Sequence, residues 1–311
     1  MCMAQTDTHR NQDRQEPVSG FVRANNLILH YLEWESHNKQ TLLLLHGIGD
    51  NAHVWGHFAD AFNGAVRVIA LDQRGHGRSD WSANGDYACG DYLRDLEAFV
   101  SVLRLDHFVL MGHSMGALHG TRYASIHSDL IAGLVHADIE PHPPDWNKQY
   151  LADLYNDLPI NYGSVDEYVD HMKYNSPHAD HNLLFQIAAR ALDLDNDGRY
   201  RCQYDKKVLS GFDRYDIVSD LANIKCPTLV LRGTESRVMR RHVAEEMCSM
   251  IPDGRLAEIP NAAHPVHTDN PDAFRSAVHS FLKEINFLKD DVSTRTTQMK
   301  TVAKRHGGKA K

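Results

Sequence analysis

Between residues 41 and 137 the chain alternates short, largely apolar runs with longer segments whose apolar residues recur every three or four positions. Thr41–Leu45, Arg67–Leu71, His107–Met111 and Ile131–Ala137 are the short runs. Runs of this kind suit strands covered on both faces, as in a parallel sheet. Between them, residues 53–63 read as helix, and residues 91–104 set Leu93, Leu96, Phe99, Val100 and Leu103 on one helical face. Upstream, the stretch FVRANNLILHYLEWE from Phe21 carries an Asn25-Asn26 turn signal between apolar runs and predicts a β-hairpin.

The alternation stops at Pro141-His142-Pro143-Pro144. From there to about residue 215 the sequence is polar and tyrosine-rich, with helical patches and no strong strand. It then resumes, with a strand over Cys226–Gly233, a helix over 238–250, a strand over Arg255–Ile259 and a last helix over 271–288. Strand and helix in alternation predict an α/β fold with a mostly parallel sheet. The expected core is 19–140 together with 216–288, and 141–215 is a helical cap inserted over the strand ends, where ligands of open α/β sheets bind. Residues 1–18 read as a polar, disordered lead-in. Residues 289–311, with seven lysines and arginines and few apolar positions, read as a solvated basic tail.

Composition narrows the function classes. Hydrophobic residues at 42% and charged residues at 24% are those of an ordinary globular protein, and a net charge of −8 argues against general nucleic-acid binding. No apolar run reaches the length of about 20 residues that crosses a membrane. Five scattered cysteines without a C-x-x-C pair fit a reducing compartment, so a cytoplasmic location is expected. Zinc-ligand spacing and a phosphate-cradling G-x-x-x-x-G-K are absent from the sequence, so no cofactor and no metal is expected. Asp193-Leu194-Asp195-Asn196-Asp197-Gly198 lacks calcium-loop spacing and reads as a turn.

The candidate chemistry centres on Gly112-His113-Ser114-Met115-Gly116, placed where the run at 107–111 breaks into a helical pattern. So sharp a strand-to-helix turn strains its central residue, requires small residues two positions away, and aims a serine hydroxyl at the positive end of a helix. A serine needs a base to become a nucleophile, and the base needs a group to orient it. Among 21 histidines, His264 stands out because it follows the last strand in a small-residue loop at the sheet edge of Ser114; His267 is the alternative. Oxyanion donors are expected from the amides of Met115, after the serine, and Ile48, in the His46-Gly47-Ile48-Gly49 loop. His113 is expected to point away from Ser114. Trp55, Trp146, Tyr150, Tyr155, Tyr162, Tyr168, Phe185 and Phe212 are candidates for an apolar pocket, each equally suited to plain packing.

HGIGDNAHVW (46–55), LDQRGHGRSD (71–80), GHSMG (112–116) and AAHPVHTDNPDAF (262–274) occur in the order found in the α/β-hydrolase superfamily, and the chain from Phe21 to Leu288 resembles its capped, esterase-like members. The resemblance implies an eight-stranded, mostly parallel sheet with the cap after the sixth strand. It also implies that Asp72 and Arg74 are scaffold. Family members with an aspartate nucleophile, such as haloalkane dehalogenases and capped epoxide hydrolases, are set aside because the elbow holds Ser114. The acid usually follows the seventh strand, where this chain has Arg237 in place of the aspartate. Asp138, at the end of the sixth strand, is the expected acid; Glu235, two residues before Arg237, is the alternative, with Glu140 behind them.

The expected activity is therefore a cofactor-free serine hydrolase acting on a small-molecule carboxylic ester through an acyl-enzyme. Lactone hydrolysis and C–C bond hydrolysis are rivals with the same triad, and a non-catalytic ligand-binding module is the rival from another class. The sequence carries no signal for an oligomeric state.

Overall fold

Successive residues of each short apolar run turn to opposite faces of one sheet, which is why those runs have no polar side. Leu42 and Leu44 join Val68, Val109, Val135 and Leu231 in a core beneath Trp55, Phe58, Phe274 and Phe281. Leu43 and Leu45 join Ile69, Leu110, Leu134 and Val230 in the opposite core, under Leu96, Phe99, Tyr123 and Met247. Leu42 to Leu45 are each at most 1% exposed. Truncating such a side chain to alanine costs about 2–5 kcal/mol.

The structure, a computed structural model, describes residues 16–62, 64–142, 144–146, 149, 153, 159–210 and 216–288. The sheet has eight strands: β1 (Val18–Ala24), β2 (Leu27–Trp34), β3 (Thr41–Leu45), β4 (Arg67–Leu71), β5 (Phe108–His113), β6 (Ile131–Ala137), β10 (Thr228–Gly233) and β11 (Gly254–Ile259). Their spatial order is β1-β2-β4-β3-β5-β6-β10-β11. The hairpin β1–β2 and the pair β2–β4 are antiparallel, and every other pairing is parallel. Asn25 and Asn26 take φ of 43° and 65°, the left-handed values that a two-residue hairpin turn requires.

α1 (Gly56–Asp60) follows the β3 loop, α2 (Cys89–Leu103) and α3 (Met115–Ile126) flank β5, and the last strands are joined by helices over Arg241–Met250 and Pro271–Glu284. The helix expected from 238 begins at Arg241, because Arg240 is still extended at φ −72° and ψ 143°. The last expected helix, 271–288, is Pro271–Glu284, with Asn270 accepting from the Ala273 N–H as N-cap, and a short helical turn, Val266–Asp269, precedes it.

The segment between β6 and β10, expected as a helical cap without a strong strand, is of mixed structure. It holds α4 (Val165–Asn175) and α5 (His181–Ala191), but also a three-stranded antiparallel sheet of β7 (Asn161–Tyr162), β8 (Leu192–Leu194) and β9 (Tyr200–Cys202). Asp193–Gly198 lies at the β8–β9 turn as expected: Asp195 Oδ1 accepts the Asp197 and Arg199 amides, and Gly198 has φ 74°. The 1–15 part of the lead-in, the 289–311 tail, Tyr150, Tyr155 and Phe212 lie outside the described residues. Among the described residues, no helix is long and apolar enough to cross a membrane.

Candidate active site

β5 ends at His113 and α3 starts at Met115, so Ser114 alone makes the turn, with φ 52° and ψ −123°. A backbone so placed costs an L-residue about 1–3 kcal/mol and persists only where its surroundings over-determine it. Here the Ser114 N–H donates to the Ala137 carbonyl at 2.9 Å, and the Ser114 carbonyl accepts from Ala117 and Leu118 at 2.8 and 3.2 Å. Space is as restrictive as bonding. A Cβ at Gly112 would stand 2.2 Å from the Gly116 carbonyl oxygen, and one at Gly116 would stand 2.5 Å from that of Leu45. The two glycines of GHSMG are therefore steric requirements of the elbow.

Ser114 Oγ lies 2.9 Å from His264 Nε2, and His264 Nδ1 lies 2.9 Å from Asp138 Oδ2. A carboxylate can only accept, so Nδ1 carries the proton and Nε2 is left to accept the serine hydroxyl. Asp138 is fully buried at the end of β6 with φ 54°, a left-handed conformation that aspartate tolerates better than most residues. Its Oδ1 accepts the Gly233 N–H at 2.8 Å, and Oδ2 also accepts the Ser236 hydroxyl at 2.5 Å. Ser236 Oγ itself accepts the amides of Val238 and Met239 at 3.1 and 3.2 Å, which directs its one proton at Asp138.

The other carboxylates go elsewhere. Glu235 accepts from His178 Nε2 at 2.8 Å, and its side chain is 51% exposed. This hydrogen bond raises the His178 pKa, against a small opposing effect of burial. Glu140 is buried and grips the Arg240 guanidinium at 2.7 and 2.8 Å. Arg237 lines the cavity wall, while Glu235 takes His178 as its partner. His267 packs its ring on Trp55 at 4.7 Å, and burial pushes its pKa down to about 3. His113 turns towards His264: its Nε2–H donates to the His264 carbonyl at 2.9 Å, and the two rings lie 4.7 Å apart.

Ile48 and Met115 pack in one buried cluster, which brings the loop after β3 beside the start of α3. A Cβ at Gly47 would lie 3.4 Å from the Ser114 Cβ, so the two backbones are in near contact. The loop is held from behind by neutral imidazoles. His46 donates through Nδ1 to the Gly47 carbonyl at 2.7 Å and accepts the Gln73 N–H at Nε2 at 3.0 Å. His76 donates through Nδ1 to the Arg74 carbonyl at 2.9 Å and accepts the Gly49 N–H at 3.1 Å. Burial pushes the His76 pKa down to about 3, which keeps that lone pair available. Asp72 and Arg74 are scaffold: Asp72 accepts from Ala52, Arg78 and His30, and Arg74 forks onto Asp95.

A cavity of about 1070 Å³ opens over Ser114 and His264. Its floor includes Gly47, Ile48 and Asp50; its far wall comes from the inserted segment through Tyr168, His171, Met172 and Tyr204. Of the aromatic candidates, Tyr168 faces this cavity, Trp55 and Tyr162 are buried in packing, and Trp146 and Phe185 are exposed. The motif pattern did not point to Ser236, His113 or Asp50. Ser236 and His113 bond to neighbours distant in sequence, and Asp50 belongs to a loop whose recognisable feature is its glycines.

Residues 40–271 match the family model described as alpha/beta hydrolase fold. The chain is 30% identical over 271 residues to N-formylmaleamate deformylase of Pseudomonas putida, covering 85% of this chain and 96% of that protein. It is 26% identical to 2-(acetamidomethylene)succinate hydrolase of Mesorhizobium japonicum, over 78% of this chain and 87% of that one. Among solved structures, an α/β hydrolase from Novosphingobium aromaticivorans superposes with a TM-score of 0.76 at 25% identity, covering 86% and 98% of the two chains. E-2-(acetamidomethylene)succinate hydrolase, at 23% identity, has a TM-score of 0.79 over 86% and 99%, a likeness of fold.

Proposed function

The chain belongs to the alpha/beta hydrolase family and is a hydrolase, and from that premise we propose that it cleaves carboxylic esters through an acyl-enzyme on Ser114. The observation that carries this reading is the unbroken line from Ser114 Oγ through His264 to a fully buried Asp138. His264 takes the hydroxyl proton as Ser114 attacks the carbonyl, then returns it to the leaving alkoxide. Asp138 fixes the imidazole tautomer and stabilises the imidazolium. In this reading the amides of Met115 and Ile48 hold the oxyanion, which the shared packing of the two residues supports. Water, activated by the same histidine, then releases the acid and restores the serine. In this reading 141–215 is the cap that closes the site over a small molecule, and no cofactor or metal takes part.

Amide cleavage is a second reading, favoured by the name of the Pseudomonas relative, a deformylase of an N-formyl compound. It uses the same steps, with His264 protonating nitrogen instead of oxygen. Epoxide hydrolases are also among the similar proteins, but their reaction needs a carboxylate at the elbow, and Ser114 stands there. Ser114→Ala should lower hydrolysis of short p-nitrophenyl esters at least about 10³-fold, leave the thermal midpoint in place and abolish labelling by a fluorophosphonate probe. Wild-type turnover in that variant would refute the mechanism.

A further inference from the structure

Asp50 is an ionisable group in the floor of the cavity over Ser114 that the steps above do not use. It closes the loop after β3, where its N–H donates to the Gly47 carbonyl at 3.3 Å. A Cβ at Gly47 would touch Asp50 Oδ2 at 3.1 Å and the Ser114 Cβ at 3.4 Å, so carboxyl and serine flank the same backbone position. What remains accessible of Asp50 faces the cavity. The cavity that would receive an acyl group on Ser114 is thus lined by this carboxyl as well.

Ionised, this carboxyl would oppose the reaction. Attack on the carbonyl creates a negative oxygen in a water-poor site, and a second negative charge a few ångströms away raises the energy of that state. A protonated carboxyl in the same place has the opposite effect, because it becomes a donor. The surroundings favour the proton. Burial pushes the Asp50 pKa up to about 7, against the smaller pull of His264 and the Gly47 backbone amide. The groups facing it are His264 beyond β11, His113 at the end of β5, whose Nδ1 and the Asp50 Oδ2 would both crowd a Cβ at Gly47, and Tyr168 on α4, whose own ionisation burial and neighbouring negative groups, Asp50 among them, suppress. Around the rest of the wall stand His267, His171, Asp170, Asp153, Glu235 and Arg237.

We propose that Asp50 is a further catalytic residue, a neutral carboxylic acid that donates a hydrogen bond to an oxygen of the acyl group bound at Ser114. This rests on Ser114 being the nucleophile. The donor is present below the Asp50 pKa and is lost as pH rises through it, so activity should fall on the alkaline side where a histidine base alone would leave a plateau.

The test is kcat/KM for p-nitrophenyl butyrate from pH 5.5 to 9 at constant ionic strength, for wild type, Asp50→Asn and Asp50→Leu. Wild type should lose about tenfold per pH unit above its alkaline break. Asp50→Asn keeps a donor that cannot ionise and should lose the alkaline limb; Asp50→Leu should be at least tenfold slower at pH 6 and also lack the limb. An alkaline limb that persists in Asp50→Asn overturns the proposal. So does a wild-type rate that climbs to a plateau, which would make Asp50 an acceptor or a bystander. Fluorophosphonate labelling of each variant separates the two levels: labelled variants with unchanged pH profiles sink only the role of Asp50, whereas an unlabelled wild type sinks the nucleophile and this inference with it.

Discussion

Two loops leave the sheet at the same edge, one after β6 and one after β10, and each offers a carboxylate to the site. Asp138, after β6, is fully buried and accepts from a backbone amide, a serine hydroxyl and His264. Glu235, after β10, has a half-exposed side chain that, among the described residues, is held by the His178 imidazole of the inserted segment. A carboxylate with three donors in a dry site is oriented and has no alternative partner; one on the rim can rotate into water. The β10 loop still serves the site, because Gly233 and Ser236 supply two of the three donors on Asp138. One loop carries Asp138 and the other holds it still.

Exchanging charge for amide in each loop puts the largest strain on that contrast. Asp138→Asn preserves shape but presents the imidazole with the wrong tautomer, and kcat should fall about 10³–10⁴-fold. Glu235→Gln should leave kcat within about threefold, since an exposed pair contributes little. Steady-state kinetics on both variants checks this. If the two losses are comparable, the acid is shared between the loops and the contrast fails.

Ser236→Ala probes the same contrast with a smaller effect. Asp138 would keep the Gly233 amide and His264 but lose the hydroxyl that fixes Oδ2. Losing one hydrogen bond to a charged group is worth about 1.5–3 kcal/mol, so kcat should drop roughly ten- to a hundredfold. KM should stay nearly unchanged, and Ser236→Thr should recover most of the rate by keeping a hydroxyl. A rise in KM with kcat intact would mean that Ser236 serves binding.

The strands of the core were legible because burial on both faces left runs such as Leu42–Leu45 without polar positions. The elbow was legible because steric contact at Gly112 and Gly116 restricts the residue type there. The pairing of Asp138 with His264 was open between two loops, since Asp138 and Glu235 both sit at strand ends and only three-dimensional burial separates them. In the inserted segment, β7 has two residues and β8 and β9 three each. Strands so short, carrying Asn161, Asp193 and Arg201 among their residues, show no alternation to detect. Asp50 was missed because a raised pKa arises from packing, which a local pattern does not encode.

The smallest effect belongs to the contact between Glu235 and His178, one of those joining the β10 loop to the inserted segment. The bond to Glu235 raises the His178 pKa. The stabilisation is therefore fully present below the unfolded-state pKa and is lost as pH rises through the folded one. Both side chains are well exposed, at 34% and 51%, so solvent screens the pair. Glu235→Gln should lower the thermal midpoint by about 2 °C at most at pH 5.5 and leave it unchanged at pH 8.5, measured by calorimetry. His178 also donates its backbone N–H to Asp269 at 3.1 Å, and Ser176 meets Thr268 at 3.4 Å, neither of which the substitution touches. Those contacts keep the segment seated when the pair is gone. A large drop at both pH values would show instead that Glu235 is structural in the way Asp138 is, and would erase the distinction between the two loops.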